Sequence, residues 1–186
     1  QGKVQVVAKG VRKPEAKLAG QLETLMCGFV IVVKGRGMGK IAGAVAENNF
    51  ISLRNDLDIL SHVLHTVYIF ERLVEPEEPD VALFELLRTY LLLVNDAATN
   101  GRRNTAALLS EGFLFQLYAH LGYGIETGSC VISGERLRSG ERYLFSPSHG
   151  GILHDEHAAV TSYAFPVSES AIKLMRLFLS HRLEPL

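Results

Sequence analysis

Features that would place the chain in a membrane or an oxidising compartment are absent from its sequence. No run of about eighteen apolar residues occurs, so no membrane-spanning helix is expected. The only cysteines, Cys27 and Cys130, are too few for a disulfide framework, which favours a reducing, cytoplasmic setting. No signal peptide is visible, and because the chain begins with Gln1 rather than Met, we expect an N-terminal piece to be missing.

Motifs for nucleotide binding and zinc proteolysis are also missing. Lys34-Gly-Arg-Gly-Met-Gly-Lys40 is rich in glycine and cations, but a P-loop continues with Ser or Thr into a helix, whereas Ile41 opens a predicted strand. His154 and His157 do not fit the helical His-Glu-x-x-His pattern of the zinc proteases. No nucleophile or general base stands out, so we expect neither a bound nucleotide nor enzymatic activity.

Positive charge is concentrated at the start of the chain. Gln1 to Gly39 contains seven Lys or Arg and two Glu, although the whole chain has 19 basic and 20 acidic residues. A local excess of this kind indicates a phosphate backbone or another anionic partner. A solvated strand edge protected by lysines is the alternative, and charge alone leaves both open.

The apolar pattern divides the chain into a β segment and a helical segment. Val4, Val6 and Ala8 alternate with polar residues, which is typical of a half-buried strand. Residues 22–33 and the residues after Lys40 are rich in strand formers. The first ~48 residues are therefore predicted to form strands only, and these are too few to close a sheet alone. Helices are predicted at 53–74, 81–94, 103–121 and after Ser168, with a loop at 95–101.

Two predictions concern the ends of these helices. Asp80 and Ser168 have the side chains that N-caps require. Arg102 and Arg103 begin the third helix, where the helix dipole disfavours cations. We therefore interpret the two arginines as an extension of the cationic surface rather than as a stabilising pair.

A possible metal site lies between Gly128 and His157. Cys130-x-x-Ser133 and His154-x-x-His157 have the paired spacing of a zinc ribbon with its ligands on two facing hairpins. Gly150-Gly151, before the two histidines, predicts a turn rather than a helix. Cys130, His154 and His157 are good zinc ligands, whereas Ser133, in the fourth position, is a poor one. A ribbon that has lost its metal and is stabilised by packing is the alternative. The fourth ligand could otherwise be a water, His149, Asp155 or Glu156.

Segments along nearly the whole chain resemble the bacterial RecO family of recombination mediators. They occur in the family's order: Gly-Lys-Val-Gln-Val-Val-Ala-Lys-Gly-Val-Arg-Lys-Pro14, His120-Leu-Gly-Tyr, Cys130-x-x-Ser-Gly-Glu with Phe145-Ser-Pro-x-x-Gly-Gly-x-x-His-x-x-His, and His181-Arg-Leu-Glu-Pro. The resemblance implies an α+β fold. Its expected parts are a partial OB-fold domain at 1–50, a helical domain at 51–127 and 161–186, and a zinc-ribbon-like insertion at 128–160.

The chain departs from the family pattern in two respects. Family members have two strands before the one at Lys3 and continue past the last helix, so we expect this chain to be trimmed at both ends. Many members carry four ribbon cysteines, of which only Cys130 is present here. The family assignment survives this difference, but zinc binding becomes an open question.

The resemblance implies a protein that binds single- and double-stranded DNA and anneals complementary strands. With RecR and the tail of the single-strand-binding protein, it would help to load RecA, and we expect it in the cytoplasm near the nucleoid. Only Phe29 supplies an aromatic ring before Phe50, so we expect sequence-blind phosphate binding with little stacking. The expected DNA contacts are Lys3, Lys9, Arg12, Lys13, Lys17, Lys34, Arg36 and Lys40.

An adaptor is the alternative function. In that interpretation the helical domain binds acidic partner peptides, and any contact with DNA is incidental.

Overall fold

The computed structural model describes residues 2–9, 18, 20–35, 37–181 and 183. The chain divides into two units, the first ending at Ala107 and the second beginning at Leu108. Helices and strands occur in both units, so the predicted α+β class is confirmed. No helix in the described part of the chain is both long and apolar enough to cross a membrane.

The first unit begins with a three-stranded sheet in the order β1-β3-β2. β1 (Val6–Val7) pairs in parallel with the start of β3 (Gly39–Asn48), and β2 (Cys27–Val33) pairs with β3 in the antiparallel direction. The strands approach closely at Gly28, where a Cβ atom would collide with the carbonyl oxygen of Val45. A closed OB barrel around this sheet stays a prediction.

Two helices replace the single one predicted at 53–74, and that prediction is wrong at Asp56. α1 (Ile51–Asn55) ends there and α2 (Leu57–Leu73) begins after it. The backbone of Asp56 is extended, and its Oδ1 accepts hydrogen bonds from the amides of Asp58 at 3.1 Å and Ile59 at 3.3 Å. In a continuous helix these two amides would donate to backbone carbonyl groups. Here they donate to the Asp56 side chain instead, so Asp56 acts as the N-cap of a new helix.

α3 (Val81–Thr99) begins where the sequence predicts and ends later than predicted. The predicted N-cap is confirmed, since Asp80 Oδ1 accepts a hydrogen bond from the Leu83 amide at 2.9 Å. The loop predicted from Asn95 onward is wrong because Asn95 Oδ1 accepts a hydrogen bond from the Leu53 amide at 3.3 Å within the helix. This contact with α1 extends the helix beyond its apolar pattern.

A second three-stranded sheet belongs to the second unit, in the order β5-β4-β6. One face includes Leu144 and Leu153, which form a core cluster with Cys130, and the other includes Tyr143 and Ile152, which form a second cluster with Ile172. The turn predicted at Gly150-Gly151 is confirmed by the positive φ of Gly150, +67°. The strands are β4 (Tyr143–Ser146), β5 (Gly151–His154) and β6 (Phe165–Val167).

Two helices complete the second unit. α4 (Arg103–His120) crosses the unit boundary and buries Phe113 fully. α5 (Glu169–Ser180) begins after the predicted N-cap Ser168, which is confirmed because its Oγ accepts a hydrogen bond from the Ala171 amide at 3.2 Å.

Candidate nucleic-acid interface

Three of the predicted DNA-binding lysines lie in or beside the first sheet. Lys34 follows β2 directly, Lys40 is the second residue of β3, and Lys9 follows β1. All three side chains are exposed. Because the β1 residue Val7 pairs with Lys40, and Lys40 also pairs with Val33, the three chain segments meet at the hairpin end of the sheet. This end therefore presents positive charge to solvent.

Lys3 has a different environment from these three lysines. Its side chain is half-buried, and Nζ donates a hydrogen bond to the Glu71 carbonyl oxygen at 2.6 Å. Its own carbonyl oxygen accepts a hydrogen bond from the Glu77 amide at 2.9 Å. Lys3 thus attaches the strand segment to the end of α2. The remaining predicted contacts lie outside the described residues: Arg12, Lys13, Lys17 and Arg36.

An apolar surface lies on the same sheet. Phe29, Ile31 and Val45 share one face, since Phe29 pairs directly with Val45 and Ile31 follows two residues later. Their exposed fractions are 68%, 66% and 64%. The sequence identified Phe29 as the sole early aromatic residue, but the exposure of its neighbours depends on the strand register, which the sequence does not reveal.

Arg102 and Arg103 do not extend the cationic surface as predicted. Arg102 pairs with Asp96 at 2.7 Å, and Arg103 contacts Asp56 at 2.8 Å and Asp58 at 3.2 Å. The Arg103 hydrogen bond is the main cause of a lowered pKa at Asp56. The two arginines stabilise helix ends, so the interpretation as a contact site is wrong.

The environment of Cys130 favours its thiolate. Burial alone would raise the pKa of the thiol, but hydrogen bonds to the sulfur outweigh burial and lower the pKa. Ser133 contributes the two hydrogen bonds with the largest effect, and its amide lies 3.5 Å from Sγ. Thiolate is the form that binds metal, so this environment is compatible with a ligand role.

His154 and His157 are neighbours, with ring centroids 6.3 Å apart. The Nε2 atoms of both rings are buried without a hydrogen-bond partner, although Nε2 of His157 lies 3.6 Å from a carboxylate oxygen of Glu156. Nδ1 of His154 lies 3.2 Å from a carboxylate oxygen of Glu141. A carboxylate on the far ring nitrogen orients an imidazole for metal binding. Nevertheless, the described part of the chain groups no three His, Cys, Asp or Glu side chains closely enough to hold a metal ion.

Comparison with known proteins identifies the family. The family model described as "Recombination protein O C terminal" matches residues 54–186. The chain therefore belongs to the RecO family.

Curated relatives, each named DNA repair protein RecO, match along nearly the whole chain. The relative from a Roseiflexus species is 30% identical over 183 residues, which cover 98% of this chain and 62% of the relative. The relative from Desulfitobacterium hafniense is 29% identical over 190 residues, covering all of this chain and 66% of the relative. The chain thus spans somewhat less than two thirds of the length of these relatives.

Proposed function

We propose that this chain is part of a non-enzymatic protein of recombinational DNA repair that binds single- and double-stranded DNA and anneals complementary strands. The observation that carries the proposal is the exposed cationic end of the first sheet, formed by Lys9, Lys34 and Lys40. Membership of the RecO family supports it. Arg12, Lys13, Lys17 and Arg36 belong to the same proposed contact set by their position in the sequence.

The proposed mechanism requires no covalent chemistry. Cations on the sheet neutralise phosphates and release counterions, which lowers the repulsion between two strands. Base pairing then selects the complementary partner, so the protein itself need not read the sequence. The exposed Phe29, Ile31 and Val45 give unpaired bases an apolar surface on the same sheet as the cations.

Further partners are proposed for the whole protein rather than for this chain alone. They are RecR, the tail of the single-strand-binding protein and, indirectly, RecA, and the support for them is the family relationship.

The test is fluorescence anisotropy of a labelled single-stranded oligonucleotide titrated at several salt concentrations. If about six sheet cations contact phosphates, the slope of log affinity against log salt is about −4 to −5 from the sheet alone. The triple variant K9Q/K34Q/K40Q should reduce the steepness by about 2, because each single-strand phosphate contact contributes about 0.7.

A matched control removes the same charge from the helical part of the same unit. Arg72, Arg88 and Arg102 are exposed, and the variant R72Q/R88Q/R102Q should leave the slope unchanged. Equal losses from the two triple variants would show that binding follows net charge alone and would reject the sheet as the contact surface. Absence of binding by the wild-type chain at low salt would reject the proposal altogether.

The adaptor alternative finds little support in the helical part of the first unit. Its apolar groove of about 480 Å³ includes the exposed Val81 and Phe84. However, Glu78 and Asp80 line it together with the single cation Lys3. Because like charges repel, this lining disfavours an acidic peptide.

Zinc binding by Cys130, His154 and His157, with Ser133 in the fourth position, remains a proposal. Two buried ring nitrogens and the lowered pKa of the Cys130 thiol support it, and the lack of a three-ligand group among the described residues counts against it. Zinc would cross-link the hairpins and stabilise the fold. Zinc bound per chain should fall to zero in His154→Ala and stay unchanged in His65→Ala. A metal-free wild type would favour the alternative of a ribbon stabilised by packing.

A further inference from the structure

A second cationic surface lies in the second unit, between the segment Arg136–Ser139 and α5. Two adjoining pockets of about 490 and 140 Å³ form it, and they share Leu137 and Arg176 along their length. Four cations line this phosphate groove, as we name it: Arg136, Arg138, Lys173 and Arg176. The sequence analysis did not find it because the two walls are far apart along the chain.

The carboxylates that line the groove are occupied by other groups. Glu126 Oε1 accepts hydrogen bonds from the amides of Gly128 at 2.6 Å and Ser129 at 3.0 Å, and these bonds lower its pKa. Glu169 accepts hydrogen bonds from the Gly140 amide and, at 2.9 Å, from Ser139 Oγ. Both carboxylates thus bind groups of the groove walls, and their two negative charges offset only part of the charge of the four cations.

The cations keep most of their charge available. Arg136 and Arg138 form no ion pair with any described residue, and Arg176 donates to the neutral carbonyl oxygen of Thr127 at 2.8 Å. Lys173 makes only a long contact with Glu169, at 3.9 Å. Four cations against two carboxylates leave the groove with a net positive charge.

We propose that this groove binds the phosphates of a single DNA strand, an inference that rests on the proposed function and extends it to a second site. Guanidinium groups donate paired hydrogen bonds in the geometry that phosphate oxygens accept. The apolar side chains on its walls, such as Leu137 and Ile172, offer little surface for anchoring an apolar peptide residue. A phosphate backbone therefore fits better than an acidic peptide.

A second phosphate-binding site would assist the proposed annealing of two strands. A protein with one cationic surface on each unit contacts more phosphates than the sheet alone can. Four groove contacts would make the salt slope steeper by about 2 to 3.

The experiment compares R136Q/R138Q/K173Q with the wild type in the same anisotropy titrations. The variant should reduce the steepness of the salt slope by about 2, and Arg136→Gln alone by about 0.7. The matched control is Arg142→Gln, which removes a cation that directly precedes β4. The Arg142 side chain is 91% exposed and does not line the groove, so the slope should not change. None of the three groove side chains makes a strong fold contact, and far-UV circular dichroism checks that folding is preserved.

The outcomes separate this inference from the proposed function. One outcome has three parts: the wild type binds DNA, K9Q/K34Q/K40Q binds it more weakly, and the groove variant has the wild-type salt slope. That outcome rejects the groove as a binding site and keeps the sheet as one. Tight binding of a labelled poly-glutamate peptide that Arg136→Gln abolishes, with the DNA slope unchanged, would assign the groove to acidic peptides and overturn the inference. A wild type that does not bind DNA rejects both proposals.

Discussion

The hydroxyl group of Tyr143 is expected to fix the wall of the phosphate groove. It accepts a hydrogen bond from the Arg138 amide at 2.6 Å and lies 2.6 Å from the Arg138 carbonyl oxygen and 2.9 Å from a carboxylate oxygen of Glu141. The side chain is 3% exposed. Tyr143→Phe keeps the ring but removes the acceptor from a partly buried amide. We expect it to lower the free energy of unfolding by about 1–2 kcal/mol, within the usual cost of an unsatisfied buried group.

Urea unfolding followed by far-UV circular dichroism measures this loss. Tyr163→Phe is the matched control, because Tyr163 is 64% exposed and its hydroxyl makes no hydrogen bond with the described residues. The control should change the free energy of unfolding by less than about 0.5 kcal/mol. Equal stabilities for Tyr143→Phe and Tyr163→Phe would refute the assignment of a structural role to this hydroxyl.

The same variant makes a prediction at alkaline pH. Burial, followed by the hydrogen bond with Glu141, raises the pKa of Tyr143 above its ordinary value of 10.0. Folding therefore favours the protonated phenol, and its contribution is complete below pH 10 and declines as the pH rises through the raised pKa. Tyr143→Phe lacks this decline, so the stability difference between wild type and variant should narrow above pH 10. A difference that widens there would contradict the reasoning.

Two further predictions concern the fold. Gly151→Ala would place a Cβ atom 2.6 Å from the Glu126 carbonyl oxygen and should cost about 1–3 kcal/mol in urea unfolding, whereas Gly124→Ala, which meets open space, should cost much less. The hydrogen bond from Arg103 lowers the pKa of Asp56 below 3.8, so the wild type should lose this contribution as the pH falls from 3.8 through the lowered pKa. Asp56→Asn should lack this acid-dependent loss of stability when unfolding is followed by circular dichroism at decreasing pH. An acid unfolding profile identical to that of the wild type would contradict the role of Asp56.

Local patterns in the sequence predicted the elements whose causes are local. The side chains of Asp80 and Ser168 specify helix starts because an N-cap needs only amides two or three residues ahead. The glycine turn before β5 follows from backbone freedom alone. The end of α3 could not be predicted in this way, because Asn95 is bonded to an amide of α1.

The positions of cationic surfaces were predicted less well than helices and strands. Whether a cation contributes to such a surface depends on carboxylates that are distant in the sequence. Arg103 belongs to the chain's positive residues in any count, yet it is paired with Asp56 and Asp58. Conversely, Glu169 lies 3.9 Å from Lys173 and offsets part of its charge, whereas Arg136 and Arg138 have no carboxylate partner among the described residues. A count of charges therefore overstated one cationic surface and missed another.

A net charge of −1 is compatible with DNA binding when cations are segregated in this way. A uniformly basic protein would attract any polyanion over its whole surface and release it slowly. Under the proposed function, the cations of the sheet and of the phosphate groove would attract the strand at two defined places, and nearby carboxylates would repel it elsewhere. Binding of this kind would be reversible and sensitive to salt, which suits the proposed annealing, because two strands must be released once they have paired.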